Sequence, residues 1–109
     1  MRSFTHIINP FVAIPSSDLH LAQQVTIESM NRAKKKAEGK LSVELMTAQY
    51  PEDHSMIVEG WVATPDLDRS IQDKGHFERN LKLPILRDIL DRMYNHSESE
   101  YLIFTNVDI

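Results

Sequence analysis

Asn106-Val107-Asp108 is the group of residues best placed to do chemistry in this chain. It follows Tyr101-Leu102-Ile103-Phe104, an apolar run without glycine, proline or charge. A short run of that kind after a helix predicts a strand buried on both faces of a parallel sheet. Residues two apart on a strand point to one side, so Asn106 and Asp108 would converge at its carboxyl end. Open α/β sheets bind ligands at that edge. An ionised carboxylate there can hold Mg2+ or Mn2+ and, through the ion, a diphosphate. The same residues also suit a strand end that merely opens a turn.

Other candidates are more diffuse. Asn9-Pro10 ends the first predicted strand, beside the last one in a doubly wound sheet, where a base or ribose could rest. An ordinary strand-ending turn is the alternative. Asp66, Asp68 and Arg69 put charge into a long loop, and Arg69 could meet phosphate or simply be solvated. The five histidines, His6, His20, His54, His76 and His96, show no His-x-x-x-His spacing, which argues against a zinc site. With three glycines in all, neither a Gly-x-Gly-x-x-Gly turn nor a phosphate loop can be built. No Gly-x-Ser-x-Gly elbow is present. Lys34, Lys35 and Lys36 read as a solvated helix end, and Trp61 as a residue at the rim of a core.

The elements that must position these residues follow from periodicity. Phe4–Asn9 predicts a strand ended by Pro10, which cannot donate to a ladder. Phe11–Ser17 is a loop. A helix then begins at an N-cap placed at Asp18 or later, carries Ile27, Met30, Ala33 and Ala37 on one side, and stops at Gly39. Lys40–Thr47 alternates as a second strand, completing a βαβ unit. Met56–Ala63 is a doubtful third strand interrupted by Glu59-Gly60. Thr64–Asn80 reads as a long functional loop. Pro84 suits the first turn of a helix whose apolar face is Ile85, Leu86, Ile89, Leu90 and Met93. Arg87, Asp88, Asp91 and Arg92 fall on its solvent side.

Composition narrows the class. At 109 residues, 41% hydrophobic and 26% charged, the chain is of single-domain size and ordinary globular composition. A net charge of −4 argues against a dedicated nucleic-acid binder. The absence of cysteine excludes disulfides, thiolate metal sites and cysteine nucleophiles. No apolar run approaches the roughly 18 residues of a membrane span, and no signal-peptide pattern opens the chain. A cytoplasmic protein is the expectation.

In order, these elements resemble the N-terminal, nucleotide-binding half of GT-A-type glycosyltransferases, the nucleotide-diphospho-sugar transferase superfamily. In that family a helix and an apolar strand deliver an Asp-x-Asp motif to the sheet's carboxyl edge. Leu83-Pro84-Ile85-Leu86-Arg87-Asp88-Ile89-Leu90 and Tyr101 to Asp108 stand in those places. The resemblance implies a three-layer, Rossmann-like, mostly parallel sheet of three or four strands, a partial GT-A fold spanning residues 1–109. It implies a nucleotide-sugar donor as ligand, with Asp108 on metal and diphosphate, Asn106 in place of the first acid, and Asn9 and Pro10 near the base. Asn106 departs from the pattern, because a neutral amide binds Mn2+ or Mg2+ less strongly than a carboxylate. An acceptor-binding half would lie beyond Ile109, so the chain by itself would be an inactive portion of a transferase. A small non-enzymatic α/β binding or interaction module is the competing expectation.

Overall fold

The computed structural model describes residues 1–70 and 84–107. Gly75, His76, Leu83, Asp108 and the later part of the 64–80 loop lie outside the described residues. The elements are β1 (Arg2–Ile8), α1 (Asp18–Ala37), β2 (Leu41–Thr47), a 3-10 segment (Pro51–Met56), β3 (Val62–Ala63), α2 (Leu86–His96) and β4 (Tyr101–Phe104). They form a four-stranded sheet in the order β3-β2-β1-β4, with every pairing parallel. The chain is therefore α/β and Rossmann-like, as its strand–helix alternation predicts. First and last strands are neighbours, with Phe4 opposite Tyr101 and Ile7 opposite Phe104.

Side chains alternate along β1 to fill two apolar layers. Ile7 joins Met46, Ala48, Leu67, Ile89 and Met93 under α2. Ile8 joins Met30, Leu45 and Val107 under α1, with Trp61 packed at the margin. A fully buried Ile7 is worth about 1.5–3 kcal/mol relative to an exposed one. The central strand thus holds both layers together.

Capping residues set the helix ends. Ile14, Pro15, Ser16 and Ser17 make a turn closed by a 3.0 Å bond from Ser17 N to Ile14 O. Ser16 has φ +72°, the left-handed value that a type II turn requires after proline. That turn delivers Ser17 as N-cap, its hydroxyl accepting from His20 N at 3.2 Å. The cap precedes Asp18, one residue before the earliest position expected from sequence, because the hydroxyl reaches the free amide of the first turn. Gly39, at φ +85°, follows the C-cap Glu38 and ends α1 where glycine predicts.

Three further expectations are corrected. The doubtful third strand shrinks to Val62–Ala63, because a 3-10 segment occupies Pro51–Met56 and Gly60, at φ +86°, turns the chain. Pro84 is not the first helical residue: it bridges Ser70, and α2 starts at Leu86 behind Ile85 as N-cap. Asp88 is not on a solvent face, since it is 5% exposed and its carboxylate accepts two 2.8 Å bonds from Arg69. On the same helix Ile89 and Met93 pack inward while Leu86, Leu90 and Tyr94 stay exposed.

The largest correction concerns β4. Tyr101, Leu102 and Ile103 are 42%, 39% and 37% exposed, so the strand is not buried on both faces. Among the described residues it is the sheet edge, paired with β1. An apolar run records what a strand can pack against. It does not record how many neighbours it has.

Candidate functional site

The site expected from sequence is the carboxyl edge of β1 and β4. From β1 the chain crosses to β2 through α1, which packs on one layer. It reaches β4 through α2, which packs on the other. Strand order therefore reverses between β1 and β4. In open parallel sheets the crevice outside such a reversal is where ligands bind. Asn9 and Asn106 each lie two residues past the last paired positions, Ile7 and Phe104.

On the β1 side the edge is held by a dense set of hydrogen bonds. Asn9 is half-buried and donates from Nδ2 to Ala48 O at 2.8 Å. Its Oδ1 makes no bond among the described residues. Pro10 is fully buried. Phe11 is clamped by Gln23, whose Oε1 accepts from Phe11 N at 3.0 Å and whose Nε2 donates to Phe11 O at 2.8 Å. Asp53 Oδ1 accepts from Val12 N at 2.9 Å. A loop without glycine keeps one shape here because buried side chains satisfy its backbone. Gln23 and Asp53 were not singled out from sequence. Their local signal, a polar residue on the inner side of α1 and an acid after Pro51, is also what a surface position gives.

The β4 side is looser. Thr105 N reaches Ile7 O at 3.5 Å, and Thr105 Oγ1 lies 2.9 Å from His6 Nε2. Asn106 is exposed, whereas Val107 is buried in a turn against the α1 layer. Strand alternation stops at Phe104, so it does not govern where Asn106 points, and Asp108 lies outside the described residues. The structure thus sets Asn9, Pro10 and Asn106 on adjoining strand ends. Among the described residues the acid held at this edge is Asp53, whose Oδ1 is bonded to Val12 N.

The charged residues of the 64–69 segment serve a different part of the molecule. Asp66 Oδ1 accepts from Gln49 Nε2 at 3.0 Å and lies 2.6 Å from His54 Nε2. Those bonds, Gln49's first, hold its carboxyl below the ordinary carboxylate range. Arg69, the candidate phosphate ligand, is paired with Asp88, whose hydrogen bonds raise the guanidinium further. Arg92 donates to the Pro65 and Asp66 carbonyls at 2.8 and 2.7 Å. The whole segment is thereby strapped to α2.

Metal binding finds limited support in this donor set. Among the described residues no group of three or more histidine, aspartate or glutamate side chains could hold an ion. Asn106 contributes a single neutral oxygen. The described residues therefore do not by themselves fit a divalent cation. Among the described residues no helix is long and apolar enough to cross a membrane. No family model matches the chain, and no curated protein or solved structure matches it.

Proposed function

We propose that the chain is the nucleotide-binding portion of a nucleotide-diphospho-sugar transferase, with the donor at the carboxyl edge of β1 and β4. The observation that carries this reading is the reversal of strand order between those two strands. Asn9 Oδ1, fixed in direction by the Nδ2 bond to Ala48, would accept from an amino or imino group of the base. Pro10 would form the wall below it. Exposed Asn106 would meet ribose or phosphate, with Asp108 following it in sequence. A divalent ion, if used, would depend on Asp108. Turnover would require an acceptor site that these strand ends do not supply.

Calorimetric titration with UDP- and GDP-sugars, with and without Mn2+, tests the reading. The expected result is saturable binding that weakens at least tenfold in Asn106→Ala or Asp108→Ala, a loss of about 1.4 kcal/mol. Absence of binding under every combination, or binding unchanged in both variants, refutes it.

A second reading, a non-enzymatic interaction module, is favoured by a separate observation. Exposed Leu102 on β4 and Leu86, Leu90 and Tyr94 on α2 leave large apolar side chains in solvent. Sedimentation that stays monomeric at high concentration would count against self-association through them.

A further inference from the structure

A solvent-open groove of about 360 Å3 lies between α1 and the β1–β4 half of the sheet, with Val25, Ser29 and Ala33 exposed along its rim. His6 and Thr105 line it on the sheet side, and Val25, Thr26, Met30 and Ala33 on the helix side. Its volume is within the range of about 300–1,000 Å3 typical of small-molecule sites.

The groove has a structural cause. Toward β2, α1 fills the layer with Ile27 and Met30 against Ile8, Val43 and Leu45. Along the groove it presents Thr26, Ser29 and Ala33, three small residues at i, i+3 and i+7, which share one helix face. Opposite them β4 is an edge strand, and among the described residues no further strand closes the gap.

Its polar groups are few, and two of their atoms have no protein partner among the described residues. His6 Nε2 is bonded to Thr105 Oγ1 at 2.9 Å, and His6 Nδ1 makes no hydrogen bond among the described residues. Thr26, only 9% exposed, has a hydroxyl with no partner among them either. Neither atom is sealed from solvent; of the side-chain polar atoms that are both sealed and unbonded, His20 Nδ1 is the single case described. Both therefore open onto accessible space, and Thr26 and His6 border the groove. Burial lowers the His6 pKa, so its ring is neutral at pH 7. No charged side chain lines the space.

We propose that this groove binds a small, uncharged, mainly apolar molecule carrying one hydroxyl, carbonyl or amide group, which hydrogen-bonds to His6 Nδ1 or the Thr26 hydroxyl. Apolar walls supply the attraction, and the unsatisfied atoms select for a ligand that completes them. With no cation among the described lining residues, the groove does not suit a diphosphate. The proposal is independent of the donor site at the carboxyl edge.

The test is titration of isotope-labelled protein, followed by NMR, with three probes on one ring: p-cresol, toluene and p-toluate. Saturable shifts are expected at Thr26, Met30, Ala33 and Thr105 with both uncharged probes. p-Cresol should bind up to about tenfold more tightly than toluene, the range of one net hydrogen bond. p-Toluate should bind more weakly than p-cresol, because its carboxylate would lose part of its hydration and find no cation among the described lining residues. Ala33→Leu should fill the space and abolish binding of both uncharged probes; leucine suits an exposed helical position, and amide dispersion verifies the fold. The double variant His6→Phe/Thr26→Val should retain toluene and lose the preference for p-cresol. The proposal is overturned by no saturable shift with either uncharged probe, by equal affinity for p-cresol and toluene, by p-toluate binding as tightly as p-cresol, or by binding that Ala33→Leu leaves unchanged.

Discussion

On the β2–β3 side of the sheet, side chains tie down the chain that leaves each strand; on the β4 side they largely do not. Gln49 spans Thr47, Thr64 and Asp66 through three hydrogen bonds. Tyr50 donates to Arg69 O, Arg69 pairs with Asp88, and Arg92 holds the Pro65 and Asp66 carbonyls. At β4 the tethers among the described residues are the Thr105 contacts with Ile7 and His6, Thr5 with Ser97 and Ser99, Ser3 with Glu100, and Arg2 with Tyr101. Yet β4 is more apolar than the 64–69 segment. Both flanks end in an exposed edge strand, β3 and β4. What differs is the chain beyond the strand, which polar pairing holds on the β3 side, each satisfied donor or acceptor fixing a direction that an apolar contact leaves free.

Paired truncations should separate the two flanks most widely. Ile7→Ala, at a fully buried position in the strand shared by both flanks, should cost about 2–5 kcal/mol. Ile103→Ala on the open flank should cost under about 1 kcal/mol, since over a third of that side chain is already in water. Urea unfolding of both variants decides the matter; equal losses would mean that β4 is covered in solution.

Polar closure can be tested next. Gln23→Leu removes both partners of Phe11 while keeping bulk, and should cost about 1–3 kcal/mol. Exchange of the Phe11 amide should accelerate ahead of global unfolding. If Phe11 stays protected, the clamp does not hold the loop.

Acid should separate the two flanks by pH. His6, beside β4, has its pKa lowered by burial from the ordinary 6.5. Its unfolded form binds the proton more readily, so stability is full above 6.5 and falls as pH drops from there to the lowered value. Asp66, on the other flank, is lowered from 3.8 by its bonds to Gln49 and His54. Its contribution is present above 3.8 and is lost as pH falls through the lowered value. The urea midpoint should therefore decline in two separate windows. His6→Phe should remove the upper decline and Gln49→Leu should shrink the lower. A single decline unaffected by either variant would contradict the assignment.

The smallest effect belongs to the exposed edge itself. Leu102→Lys should alter stability by no more than about 0.5 kcal/mol and should raise solubility, since a lysine discourages edge pairing. A larger loss by urea unfolding would show that Leu102 is buried by something in solution.

What was legible in the sequence follows the same division. β1, α1 and β2 could be placed because alternation and 3.6-residue spacing are local, and Gly39 marks its own backbone need. The adjacency of first and last strands could be inferred because alternating strands and helices allow few sheet orders. The exposure of β4 could not, since a strand's neighbours are set by the whole sheet. Asp88 was misplaced because its partner Arg69 is 19 residues away and no local pattern joins them. The His6–Thr105 contact spans 99 residues, so the groove beside it left no motif. At the carboxyl edge, Asn9 and Asn106 were identifiable as strand ends, but not the clamp of Gln23 and Asp53 that shapes the loop between β1 and α1.

The pairing of β1 with β4 also has a consequence in time. β1 can meet β2 as soon as α1 has formed, a closure of some 40 residues, whereas Phe4 must wait for Tyr101. Contacts so distant in sequence form late and slow the search for the native state. During synthesis the central strand is therefore made first and completed last. For most of that interval its second edge is open to any passing strand.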